Sequence, residues 1–205
     1  MANIITIGRQ YASGGRLIGE LVAKNLGYAF FDKELITLAA RESGLSREFF
    51  EQADEKKRGG FFYSLFGIQS NIQPGDSNNS CLNRETLFKI QSDVIKHLAE
   101  QQNCVFVGRC ADYILRENAN IINIFITANR SDRQFRLRER GEINSSEAID
   151  EILDKADRQR AEYYNFFTNK RWGDSQSYHL SINSSLLGTD QTAELICEVA
   201  KKHFK

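Results

Sequence analysis

The sequence predicts an α/β fold, a parallel sheet with helices on both faces, and three observations carry that prediction. The chain opens with a short apolar run, Asn3 to Ile7, closed by Gly8 and a Gly/Ser-rich turn. Behind that turn Leu17, Ile18, Leu21, Val22 and Leu26 recur at helical intervals. Apolar runs of strand length return at Tyr28 to Phe31, Cys104 to Val107, Ile121 to Ile126 and Tyr178 to Ile182, with helical segments between them.

The elements follow in order. The strand at Tyr28 to Phe31 ends at Asp32, and a helix is expected from Lys33 to about Glu42. Ser46 is a suitable N-cap for another helix. From Lys56 to about Asn83 periodicity fails, with Gly59, Gly60, Pro74 and Gly75 among aromatic and polar residues. A stretch of that length without a repeat reads as a functional flap or insert. Leu87 to Gln101 is amphipathic, and the strand at Cys104 ends at Gly108. After Asn129 the chain reads as charged helix to about Lys155, interrupted near Gly141 to Ser146, and Thr189 to His203 as a closing helix.

The 205 residues suit one domain. No apolar run is long enough to span a bilayer, and Met1 leads straight into a strand-like run, so a cytoplasmic protein is expected. Cys81, Cys104, Cys110 and Cys197 are too scattered for paired zinc ligands. Cys104 and Cys197 lie in apolar stretches, where a thiol serves as a small core residue. Twenty-seven basic residues balance 27 acidic ones, which argues against a general nucleic-acid binder. Arg130 to Arg140 nonetheless holds five arginines against two acids.

The opening turn, Gly8-Arg9-Gln10-Tyr11-Ala12-Ser13-Gly14-Gly15-Arg16, stands just before a helix N-terminus. Unpaired helical N–H groups and the positive end of the helix dipole make such a place a phosphate seat. Gly14 and Gly15 let the backbone approach an anion, and Arg9 and Arg16 add charge. The full phosphate-loop pattern places Lys and then Ser or Thr after its second glycine. Aligned at Gly14, those positions hold Gly15 and Arg16, so the lysine and the hydroxyl that binds magnesium are both absent. No Gly-x-Gly-x-x-Gly dinucleotide fingerprint is present.

Four segments together resemble the cytidylate kinase-like family. They are Ile5 to Arg16, which is similar to a degenerate phosphate loop; Tyr28 to Ile36, a second strand and its exit; Cys104 to Tyr113, a central strand and turn; and Asp157 to Tyr164, continuing to Trp172-Gly173-Asp174. The resemblance covers nearly the whole chain, least securely from Lys56 to Asn83. It implies a P-loop NTPase-type domain with a core at about 1–35, 100–130 and 176–205. A helical acceptor-binding insert is implied at about 36–99, and a lid with its following helix at about 131–175.

The implied chemistry is phosphoryl transfer from ATP, with Mg2+, to CMP, dCMP or another small acceptor. Ser13, Gly14, Gly15 and Arg16 would hold the donor phosphates, and Asp32, Lys33, Arg109, Asp157 and Arg160 the acceptor. Arg16, Arg133 and Arg136 would act in catalysis, the last two opening the lid. Arg9, Arg16 and Lys33 are the cations at hand to replace the missing lysine.

Each site residue also has a structural reading. Arg133 and Arg136 are i, i+3 neighbours that suit a lid or a solvated helix face, and Asp157 with Arg160 suits a substrate pair or an ion pair. Arg138 and Arg140 are expected at the surface, and Tyr163, Tyr164, Phe166, Phe167 and Trp172 in an apolar patch beneath the lid. The sequence departs from the family at Cys110, where an acid follows the arginine matching Arg109, and at Thr37 and Leu38, where an arginine is usual. These departures keep open a regulatory nucleotide binder without phosphoryl transfer. Nucleic-acid binding through Arg130 to Arg140 is a third class, disfavoured by the neutral charge.

Overall fold

The computed structural model describes residues 2–42, 77–141 and 146–204. Five strands, β1 (Ile4–Arg9), β2 (Ala29–Phe31), β3 (Cys104–Val107), β4 (Ile121–Thr127) and β5 (Leu180–Asn183), form one sheet in the order β2-β3-β1-β4-β5. Every pairing is parallel, with Ile4 opposite both Cys104 and Ile121. The helices are α1 (Gly15–Leu26), α2 (Lys33–Glu42), α3 (Ser77–Gln101), α4 (Ala111–Ile114), α5 (Arg130–Glu139), α6 (Ser146–Thr168) and α7 (Ser184–His203).

The apolar run that marks β1 is buried on both faces, as the middle strand of a covered parallel sheet must be: Ile4, Ile5 and Ile7 are all sealed. Thr6, polar in that run, donates its hydroxyl to Asn123 Oδ1 at 2.7 Å. On one face Ile18 and Val22 of α1 and Ala193, Ile196 and Ala200 of α7 pack against Ile5, Ile7, Val105, Val107 and Ile124. Removing such a side chain, Ile18→Ala for instance, costs roughly 2–5 kcal/mol in transfer and cavity energy. A second cluster joins Ala12 of the glycine turn to Leu137, Ile149 and Leu153, which seats α5 and α6 against that turn.

The chain divides into two compact units, Met1–Lys33 with Lys96–Lys205, and Glu34–Ile95. The first contains the sheet, α1 and α4 to α7. The second contains most of α2 and α3, with Ile36, Leu87, Ile90, Val94 and Ile95 buried.

Several boundaries differ from expectation. Helix α3 begins at Ser77, ten residues before the amphipathic stretch, so the aperiodic segment gives way to helix earlier than Asn83. The expected helix at Ser46 and the segment from Lys56 to residue 76 lie outside the described residues. Helix α6 continues past Lys155 to Thr168. Strand β5 starts at Leu180 rather than Tyr178, whose ring packs 4.9 Å from Phe125 instead of joining the ladder. Helix α7 takes in one extra turn before a break at Gly188 (φ 75°), after which the expected helix from Thr189 runs on. Cys104, Cys110 and Cys197 are buried free thiols, and burial pushes Cys104 up to about 12. Among the described residues no helix is long and apolar enough to cross a membrane.

Candidate functional site

Parallel strands all end on one side of a sheet, so five sets of side chains meet there: Arg9 after β1, Asp32 after β2, Gly108 and Arg109 after β3, Ala128 after β4 and Ser184 after β5. In open α/β sheets ligands bind at that carboxyl edge. The centre of the edge is the glycine turn between β1 and α1.

The turn is held by its carbonyls. Arg160 of α6 donates from Nη1 to the Arg9 carbonyl at 3.0 Å, Arg133 of α5 from Nε to Tyr11 at 2.8 Å, and Arg136 of α5 from Nη1 to Ala12 at 3.2 Å. Ser184 Oγ donates to the Ser13 carbonyl at 2.7 Å. In a trans peptide the next N–H points opposite the carbonyl. Tying the Ser13 carbonyl to Ser184 therefore turns the Gly14 amide toward the open side, while the Ser13 N–H is taken within the turn by the Gln10 carbonyl at 3.4 Å. Gly14 takes φ 82°, which glycine adopts without strain, and as the N-cap residue it brings no side chain of its own to the first amides of α1. Helix N-terminal amides so oriented are suited to bind an anion.

Behind the turn lies an ion pair. Asp157 accepts from Arg133 Nη2 at 2.5 Å and from the Tyr11 N–H at 2.7 Å, with Arg133 almost wholly buried. Of the two readings of Asp157 with Arg160, the mutual ion pair is not what forms. On α6 they stand side by side, but Asp157 takes Arg133 while Arg160 turns to the Arg9 carbonyl and lies over the Tyr11 ring at 5.2 Å. Burial lowers the pKa of Arg160 from its ordinary value, against the opposing pull of Asp157.

Arg133 and Arg136 accordingly face the turn rather than solvent, whereas Arg138 and Arg140 are exposed. Arg130 clamps α5 to α6 through Asp150 and Asp154, both at 2.7 Å. The basic excess of this segment is therefore largely engaged inside the molecule.

Arg109 sits in a run of three positive φ values, Gly108 81°, Arg109 56° and Cys110 55°. Such backbone is costly for side-chain-bearing residues and concentrates at functional turns. Its guanidinium lies over the Tyr163 ring at 5.3 Å, and its Nε is buried with no hydrogen-bond partner among the described residues. Nearby, the Tyr164 hydroxyl donates to Asp112 at 2.7 Å, and burial raises the Asp112 carboxyl above its ordinary value. The aromatic residues divide: Tyr164 is buried and Trp172 meets Phe125 edge-on at 5.2 Å, while Phe166 is exposed.

Arg16 and Asp32 bear on magnesium. Arg16 Nε donates to Asp32 Oδ2 at 2.8 Å, and Asp32 is almost fully buried while Arg16 reaches solvent. The guanidinium thus stands at the position of the metal-binding hydroxyl and engages the adjacent carboxylate. Among the described residues no group of three or more His, Cys, Asp or Glu side chains is placed to hold a metal. Asp32, the carboxylate beside that position, is thus engaged by Arg16. Lys33 follows Asp32, half-buried at the start of α2.

Sequence reasoning missed Ser184 and the partner of Asp157. The first has no motif around it, and the second is 24 residues away on another helix.

An all-parallel 2-3-1-4-5 sheet with a glycine turn at the carboxyl end of β1 defines a P-loop kinase fold. The model of the cytidylate kinase-like family matches residues 4–186, and the chain belongs to that family. Membership points to nucleotide-dependent phosphoryl transfer. A crystal structure of an uncharacterized protein from Eubacterium ventriosum ATCC 27560 is similar over 98% of this chain and 99% of its own, at 24% identity and TM-score 0.73. Shikimate kinase from Bacteroides thetaiotaomicron is similar over 97% and 98%, at 13% identity and TM-score 0.53. Both likenesses are of fold. No curated protein matches the chain in sequence.

Proposed function

We propose that the protein transfers a phosphoryl group from ATP to an acceptor that is itself a phosphate, of the class of CMP or dCMP. One observation carries the reading: three arginines from two later helices, Arg133, Arg136 and Arg160, converge on the carbonyls of one glycine turn. That arrangement would present the amides at Gly14, Gly15 and Arg16 to the donor phosphates, with the Ser13 amide held by the Gln10 carbonyl and Arg109 and Lys33 toward the acceptor.

Phosphoryl transfer asks mainly for positioning and charge neutralisation. An acceptor phosphate oxygen forms a bond to the γ-phosphorus, and the bond from that phosphorus to the bridging oxygen breaks. ADP leaves with the electron pair, and an ionised acceptor gives up no proton. A hydroxyl acceptor would instead require a base. Three carboxylates described near this edge are committed, Asp32 to Arg16, Asp157 to Arg133 and Tyr11, and Asp112 to Tyr164. Their engagement favours an acceptor that needs no base.

The second reading, a nucleotide-binding regulator, is favoured by Gly15 and Arg16 standing at the lysine and hydroxyl positions. Release of ADP from ATP across a panel of nucleoside monophosphates, with shikimate and gluconate as hydroxyl acceptors, separates the two when ATP binding is measured in parallel. Turnover with CMP or dCMP above all others is expected. Binding without turnover on any acceptor would leave the regulator.

A further inference from the structure

The position of the missing lysine is not empty space. A Cβ built on Gly15 would lie 2.6 Å from Arg9 Cβ and 3.1 Å from Arg9 Cγ. A Cβ on Gly108 would lie 2.0 Å from Arg9 Nη1 and 3.0 Å from Arg9 Cζ. The Arg9 stem therefore passes over Gly15, and its guanidinium rests on Gly108. Two residues without side chains, one opening α1 and one closing β3, form the trough in which this arginine lies. A lysine at 15 would compete with Arg9 for the same volume.

We propose that Arg9 is the phosphate-binding cation of this site, supplied from the end of β1 in place of the lysine that α1 lacks. The inference rests on the kinase reading and adds to it the identity of the central cation. Of the three candidates, Arg16 is drawn aside by Asp32 and Glu20, and Lys33 lies beyond Asp32 at the start of another helix. Only Arg9 runs from the donor turn to the strand end that carries Arg109. Its guanidinium contacts the phosphate chain between donor and acceptor, and its fork can take two oxygens where a lysine takes one. Its carbonyl, fixed by Arg160, anchors the base of the same side chain.

The test is ATP binding by calorimetry at two salt concentrations on the full chain, with melting curves confirming the fold of each variant. Arg9→Gln keeps the stem and removes the charge. It is expected to weaken ATP binding roughly 10–100-fold, the factor for one charge-assisted hydrogen bond, and to flatten the salt dependence. Arg9→Lys is expected to stay within about threefold of wild type, because the charge is kept. Gly15→Lys alone, meeting Arg9 Cβ, is expected to bind poorly. Arg9→Gly combined with Gly15→Lys, which clears the trough and returns the cation to α1, is expected to recover binding. Wild-type affinity and salt dependence in Arg9→Gln would overturn the proposal and leave the kinase reading standing. Absence of ATP binding in the wild-type chain would overturn both. Should Arg9→Gln fail to fold, the double variant decides: no recovery over Gly15→Lys counts against Arg9.

Discussion

Arg133 and Asp157, 24 residues apart on α5 and α6, form an ion pair directly behind the glycine turn, and each also holds the turn at Tyr11. Arg133 takes the Tyr11 carbonyl and Asp157 the Tyr11 N–H, so one residue of the turn is gripped on both sides. Asp157→Ala leaves a buried guanidinium without its counter-ion and frees the Tyr11 amide. A loss of about 2–4 kcal/mol in urea unfolding is expected, the lower end reflecting the partial exposure of Asp157. Arg133→Met with Asp157→Leu should lose less than the sum of the single changes, since no lone charge is left buried. Equal stability of wild type and Asp157→Ala would show that the pair holds nothing.

Ser184 acts through Ser13 from the end of the last strand. Its hydroxyl is buried and donates to the Ser13 carbonyl, whose orientation sets the direction of the Gly14 N–H. Ser184→Ala should cost about 1 kcal/mol of stability. Affinity for ADP should fall by roughly three- to tenfold, because the Gly14 amide is no longer pre-oriented. Ser185→Ala, which leaves this bond intact, is the matched control. Identical ADP affinity in Ser184→Ala and Ser185→Ala would break the link between hydroxyl and amide.

The middle strands were readable because burial on both faces leaves a mostly apolar run, as at Cys104 to Val107. The end of α6 was not, because past Lys155 the charged run from Asp157 to Glu162 passes into Tyr163, Tyr164, Phe166 and Phe167, which blur the amphipathic period. In the candidate site, the glycine turn and the strand-end positions of Asp32 and Arg109 follow from local sequence. The pairing of Asp157 does not: its neighbour in sequence is Arg160, and only the packing of α5 on α6 brings Arg133 closer. Arg9 was one cation among three until the absent side chains of Gly15 and Gly108 set its path.

Arg16→Ser tests the account of magnesium. Removing the guanidinium releases Asp32 and restores a hydroxyl at the position where the full phosphate-loop pattern has one. Wild-type affinity for ATP is expected to change less than about threefold between magnesium and EDTA. In Arg16→Ser it should become magnesium-dependent by roughly tenfold or more, the scale of one added ionic ligand contact. A wild-type chain that binds ATP only with magnesium would contradict the assignment of Arg16 and Asp32.

Asp112 supplies a pH dependence whose sign is fixed by its burial. Its carboxyl is raised above 3.8 chiefly by desolvation, with the Tyr164 hydroxyl and the charge of Lys170 pulling the other way. The native state therefore holds this proton more tightly than the unfolded chain. Its contribution to stability is most favourable below pH 3.8, and it declines as pH rises through the folded value and is flat above it. Asp112→Asn removes the ionisation yet keeps an oxygen to accept from Tyr164. The variant should be at least as stable as wild type at pH 7, with that advantage vanishing in acid. Asp112→Ala, which takes away the acceptor, should lose about 1–3 kcal/mol at every pH. Urea melts of the three proteins from pH 3.5 to 8 check both signs. An Asp112→Asn variant that is weaker than wild type at neutral pH would mean that the charged carboxylate, rather than its hydrogen bond, holds Tyr164 and the Arg109 turn in place.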